Sequence, residues 1–127
     1  RWDARDAKGF ARLFTADADL EVAGEAVTRR MKGTIERDYA ASFARADSTL
    51  RHRTIVDELH AIADGVVLVD ARAWIVRAQS GTEVPLRAYT TRNVAVRTAD
   101  GWRLRVVRSH AEPLDAAVMR DRSVAGR

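Results

Sequence analysis

Cysteine is absent from the 127 residues, which removes together a disulfide framework, a thiolate nucleophile and cysteine-ligated zinc or iron–sulfur centres. Proline is scarce, Pro85 and Pro113 being the only two, so no proline-rich linker divides the chain. Lysine occurs only as Lys8 and Lys32, and the rest of the 22 basic residues are arginine. Long apolar runs are missing: a stretch such as Gly65 to Val69 falls far short of the ~20 residues that cross a bilayer. The first residues, Arg1-Trp2-Asp3, enter a helical pattern without a basic and apolar leader, so the expectation is a cytoplasmic protein with no membrane partner. No glycine-rich loop precedes a helix, no Gly-x-Ser-x-Gly elbow occurs, and nothing resembles a nicotinamide or flavin fingerprint; no cofactor is expected.

What is present fits one domain over 1–127, with a core over about 2–113 and a tail over 114–127. A hydrophobic fraction of 46% is enough to bury a single core without metal or disulfide staples. The net charge of +4 raises nucleic acid as a partner. The arginines, however, are interleaved with 18 acids along the whole chain rather than gathered into a patch, so nucleic acid is not expected.

Along the chain, Trp2, Phe10, Leu13 and Phe14 form an apolar stripe that predicts a first helix, which runs through Thr15-Ala16-Asp17-Ala18-Asp19 into a short strand, Leu20-Glu21-Val22. Gly24 to Lys32 reads as a polar connection. Gly33-Thr34 opens a second helix, capped by Thr34, in which Ile35, Tyr39 and Phe43 share a face. From Thr49 the period changes to two, and Arg53 to Ala63, Val66 to Ala78, Val84 to Thr98 and Trp102 to Ala111 read as strands. Ala63-Asp64-Gly65, Ser80-Gly81-Thr82 and Ala99-Asp100-Gly101 supply the turns. The sum is α+β: helices followed by an antiparallel meander that curls around them.

Three features carry a resemblance: the Leu13-Phe14-Thr15 to Leu20 join, the Gly33 helix start, and the Asp100-Gly101-Trp102-Arg103-Leu104 turn into a strand ending Val107-Arg108-Ser109-His110. In this order the chain, from Trp2 to about Pro113, resembles the nuclear transport factor 2-like superfamily, particularly its SnoaL-like and SgcJ/EcaC-type small bacterial members. The resemblance implies a cone-shaped, cystatin-like fold in which N-terminal helices pack on a strongly curved antiparallel sheet around one pocket, and a homodimer formed through the outer sheet face. The ketosteroid isomerase branch needs a carboxylate base after the first strand and a Tyr with a protonated Asp. Those positions fall here near Val22 and Arg92, and the first-helix Tyr would precede Arg1 or be absent, so that constellation is not matched.

Strand alternation then assigns faces. Leu104, Val106, Arg108 and His110 are expected inside, together with Leu86, Ala88, Thr90 and Arg92, and with Val69 and Ala71. Two arginines would hold an anion and His110 would serve as acid or base, so His110 and Arg108 are the catalytic candidates. Thr90, Arg92, Val69, Ala71, Val106 and Tyr39 are the ligand-binding candidates. Arg92 and Arg108 could equally pair with Asp17, Asp19 or Glu21 as structural ion pairs. His52 reads as part of a solvated turn, His60 stands alone, and no metal-ligand spacing occurs, so no metal is expected. Trp74, Tyr89, Arg72 and Arg105 are assigned to the outer, dimerising face. Two functions follow. One is a protein that binds a small apolar or anionic metabolite and catalyses a proton-transfer step such as cyclisation, isomerisation or dehydration; the alternative is a non-catalytic carrier or association module.

Overall fold

Reversals at Asp64-Gly65, Ser80-Gly81 and Ala99-Asp100 cut the second half of the chain into four long strands. Ser80 and Gly81 both have positive φ, 49° and 79°, the conformation of the two-residue hairpin turn whose twist matches that of the strands it joins. In this computed structural model, which describes residues 2–22, 29–45 and 47–114, the order is α1 (Ala7–Ala11), β1 (Phe14–Val22), β2 (Arg29–Arg30), α2 (Lys32–Arg45), β3 (Leu50–Ala63), β4 (Val66–Gln79), β5 (Thr82–Thr98) and β6 (Gly101–Glu112). The strands form one six-stranded curved sheet in the order β2-β1-β6-β5-β4-β3. All neighbours are antiparallel except β1 and β6, which run parallel.

Three expectations about the first half are corrected. The first helix spans only Ala7–Ala11, because Asp6 caps it by accepting the Gly9 N–H at 2.8 Å and Phe14 is already paired with Leu104 of β6. The early strand is correspondingly longer than Leu20 to Val22. The second helix begins at Lys32, directly after Met31 at φ 69°, so Thr34 lies within its first turn rather than capping it. The expected tail beyond Leu114 and most of the connection from Gly24 lie outside the described residues.

The α1/α2 layer covers one face of the sheet. Ile35, fully buried, packs with Phe14, Ala18, Leu20 and Val107, and Phe10, Val22, Tyr39 and Leu104 border that cluster. A chain of rings runs across this layer: Phe10 lies 5.3 Å from Phe14 and 4.5 Å from Tyr39, Tyr39 lies 5.6 Å from Phe43, and Trp2 lies 5.6 Å from Phe43. On the opposite face Trp74, Val76 and Ala88 form a second buried cluster, with Ile55 and Leu114 packed against it.

Candidate functional site

Between the helices and the concave face of the sheet lies a cavity of about 720 Å³, within the size range of small-molecule sites. Strand register arranges its sheet wall in rungs. His52, Ile75 and Arg87 stand side by side across β3, β4 and β5; Thr54, Ala73 and Tyr89 form the next rung. Further in, Thr91 of β5 is paired with Ser109 of β6, and beyond them Asn93 is paired with Val107. The helix side supplies Trp2, Phe10, Tyr39, Ser42 and Phe43. Polar groups thus change in kind along the cavity, from cationic at the exposed Arg87 end to hydroxyls and a carboxamide at the buried end. Among the described residues no aspartate or glutamate lines it.

Two side chains stand out chemically. His52 is half-buried, with its ring 5.7 Å from that of Trp2 and its Nδ1 3.3 Å from Thr54 Oγ1. Burial pushes the imidazole below its ordinary pKa and outweighs the nearby Asp3 carboxylate, which acts in the opposite sense. Asn93 is buried at 9% exposure. Its amide nitrogen donates to Thr91 Oγ1 at 3.0 Å, while its Oδ1 has no hydrogen-bond partner among the described residues.

The face assignment of β5 and β6 is corrected by two bulges. Leu86 and Leu104 line the cavity as expected. An irregularity between Ile75 and Val76 leaves Leu86 as an extra residue on β5, and another between Val94 and Ala95 leaves Arg105 extra on β6. A residue inserted on one strand reverses the alternation beyond it. Arg87, Tyr89, Thr91, Asn93, Val107 and Ser109 therefore line the cavity, whereas Thr90, Arg92, Val106, Arg108 and His110 do not.

The remaining sequence candidates can be placed. Tyr39 lines the cavity; Val69 and Ala71 share the alternation of Ala73 but do not line it. Arg108 is paired with Asp19 at 3.2 Å and lies 3.6 Å from Glu21, Arg92 is paired with Asp70 at 2.8 Å, and His110 is exposed. These are the ion pairs read as the alternative to an anion site, with Asp70 in the place expected of a β1 acid for Arg92. Of the expected dimerising residues, Tyr89 faces the cavity instead, Trp74 and Arg72 are buried within the single chain, and Arg105 reaches Asp17 at 3.2 Å. His52, read as part of a turn, lies in β3; the Leu50 to Arg53 stretch that carries it is strand from its first residue.

Outside the cavity, Glu58, His60 and Asp70 bring potential metal-ligating atoms within 4.8 Å of one another. A β3 irregularity between Val56 and Glu58 creates this juxtaposition, which linear spacing hides. His60 Nε2 lies 3.2 Å from Glu58, and Asp70 is held by Arg92, so a cation there would compete with a guanidinium already in place. Among the described residues no helix is long and apolar enough to cross a membrane.

Solved structures of similar fold are numerous. One is a cystatin-like-fold domain from Nostoc punctiforme, 16% identical, covering 94% of this chain and 74% of its own, with a TM-score of 0.76. Aln2 from a Streptomyces species is 25% identical, covers 95% of this chain and 85% of its own, and has a TM-score of 0.74. A ketosteroid isomerase-like protein from Erwinia carotovora atroseptica is 16% identical over 88% of this chain and 86% of its own, with a TM-score of 0.68. Compared by sequence with curated proteins, the chain matches none. The SnoaL-like domain family matches residues 2–108, and the chain belongs to that family.

Proposed function

We propose that this protein binds a small, largely apolar molecule in its cavity and moves a proton on it, with His52 as the base. The observation that carries the reading is an imidazole on the wall of a mostly apolar cavity, kept neutral by burial. A base that is unprotonated near neutral pH can accept a proton without first losing one. Thr54 Oγ1 lies 3.3 Å from Nδ1, and in the tautomer in which Nδ1–H donates to that hydroxyl the lone pair of Nε2 is left for the substrate. The likeness in fold to a protein named for ketosteroid isomerase supports proton transfer as the reaction class. The SgcJ/EcaC-type subgroup and a homodimer belong to the same proposal and rest on the sequence resemblance alone.

A specific observation favours a second reading, a non-catalytic carrier. No carboxylate among the described residues lines the cavity to orient His52 or share its proton. One experiment separates the two. Nitrobenzisoxazole is a flat apolar probe that opens to a coloured cyanonitrophenolate when a base removes its ring C–H proton and the N–O bond breaks. Turnover above buffer that is lost in His52→Gln, with the fold retained, supports the base. Thermal stabilisation by the probe with no turnover in either protein gives the carrier, and neither effect overturns both readings.

A further inference from the structure

We infer that the ligand of this cavity carries an anionic group, taken by Arg87 at the exposed end, and a hydrogen-bond donor at its far end, taken by Asn93 Oδ1. This rests on the cavity being a small-molecule site, and it holds for an enzyme or a carrier alike.

Arg87 is the exception among the arginines of β3 to β6. Arg72 is paired with Asp57, Arg92 with Asp70, Arg97 with Asp64 and Arg108 with Asp19. Arg51 and Arg103, lacking a carboxylate, donate to backbone carbonyls. Arg87 lines the cavity and has neither kind of partner among the described residues. Arg77 lies nearby on β4, 3.7 Å from Asp47, and His52 occupies the same rung as Arg87. No carboxylate of the described wall opposes a negative charge at this end. A guanidinium cannot shed its proton, and its planar fork suits a carboxylate or phenolate.

The inner end asks for the opposite chemistry. Asn93 is more than nine-tenths buried, its amide nitrogen is engaged by Thr91, and its Oδ1 is an acceptor without a donor among the described residues. Such an atom has lost its water and gained nothing in return; as it stands it is closed even to water, so a ligand hydroxyl or N–H recovers the loss once the Asn93 side chain shifts its oxygen toward the cavity that the residue lines. A ligand group that only accepts is rejected there for the same reason. Arg87 and Asn93 lie on one strand, about 20 Å apart at ~3.3 Å per residue, less the reach of the arginine side chain. Between them on the sheet wall lie Tyr89, with Ala73 beside it, and Thr91, a surface that is apolar and aromatic apart from their hydroxyls. A fused-ring or similarly elongated apolar skeleton with a carboxylate at one end and a hydroxyl at the other matches this sequence of groups.

Three naphthalene probes test it by calorimetric titration: hydroxynaphthoate with its acid and hydroxyl at opposite ends, its methoxy counterpart, and naphthol. Hydroxynaphthoate is expected to bind the wild type about tenfold more tightly than either of the others. Arg87→Gln should weaken hydroxynaphthoate about tenfold and so abolish its preference over naphthol. Asn93→Leu, or Asn93→Ser where the leucine variant does not fold, should abolish the preference over the methoxy compound. Equal binding of all three probes, or preferences that survive both substitutions, overturns the inference and leaves the cavity reading standing. Failure of every probe to bind the wild type overturns both.

Discussion

Asp3 Oδ1 accepts the backbone N–H of His52 at 2.7 Å, and Asp3 Oδ2 takes the Arg53 guanidinium at 2.7 Å. With Arg5, which donates to the Asp47 and Leu50 carbonyls at 2.8 Å each, this fastens the N-terminal segment to the start of β3 and sets the Trp2 ring beside His52. Desolvation raises the Asp3 carboxyl, but the His52 N–H and Arg53 outweigh it and hold it below the usual carboxylate value. Asp3→Ala should cost about 1 kcal/mol, the low end for a charged hydrogen bond because the side chain is 38% exposed. That corresponds to a drop in melting temperature of about 4 °C. A depressed carboxyl stabilises above its unfolded value and loses that contribution as pH falls through the folded value, so the wild-type and variant melting curves should converge in acid.

His52 gives a pH dependence at a milder pH. Its folded pKa lies below the ordinary value of ~6.5 because burial disfavours the imidazolium. In the window between the folded value and ~6.5 the unfolded chain binds the extra proton, so stability rises with pH across that window. His52→Gln removes the titration. The melting temperature of the wild type relative to this variant should therefore climb as pH is raised from the folded value through ~6.5 and then level off; a difference that falls with pH would mean that His52 is stabilised as the cation.

Arg72 is buried in β4 at 8% side-chain exposure, and it donates through Nε and Nη2 to Asp57, with its shortest contact at 2.8 Å. Removing the acid strands a buried cation, whereas removing the cation leaves only a carboxylate that is 38% exposed. Asp57→Ala should therefore cost about 2 kcal/mol, below the range for wholly buried pairs because Asp57 keeps contact with water. Arg72→Met, which keeps the aliphatic bulk beside Trp74, should stay within about 1 kcal/mol of the wild type. Urea denaturation of both variants reads the asymmetry directly.

The strands and their turns were legible because Asp64-Gly65, Ser80-Gly81 and Ala99-Asp100 announce reversals locally, and α2 because Ile35, Tyr39 and Phe43 recur at helical spacing. The inner face of β4 was legible in part: Val69 and Ala71, read as inward, share the alternation of the cavity-lining Ala73 but do not line the cavity themselves. What failed was the continuation of that alternation through bulges, since one extra residue sends every later side chain to the other face. Local traces of both bulges exist. Pro85 sits inside β5 next to the extra Leu86, and proline within a strand is confined to edges and bulges; β6 pairs with β5 only from Ala88, so the backbone at Pro85 is open on that side. On β6 the adjacent pair Val106-Val107 breaks an otherwise alternating pattern just after Arg105. The parallel pairing of β1 with β6 has no such trace, because it joins residues far apart in the chain whose contact only the folded sheet creates.

Asn93 separates stability from binding. An acceptor buried without a partner carries a desolvation cost of about 1–3 kcal/mol. Leucine has a similar shape and adds apolar burial beside Leu20 and Val107, near the centre of the main core. The substitution also takes from Thr91 the amide that donates to its hydroxyl, but Thr91 is only half-buried and loses less than Asn93 gains. Asn93→Leu should therefore raise the melting temperature of the unliganded protein by about 4 °C, a net gain of about 1 kcal/mol. A fall would show that Oδ1 is satisfied in the ligand-free protein, and the buried end of the cavity would then no longer favour a donor. A rise would mark Asn93 as a residue that is locally unfavourable for folding, the pattern expected where a side chain serves a ligand rather than the core.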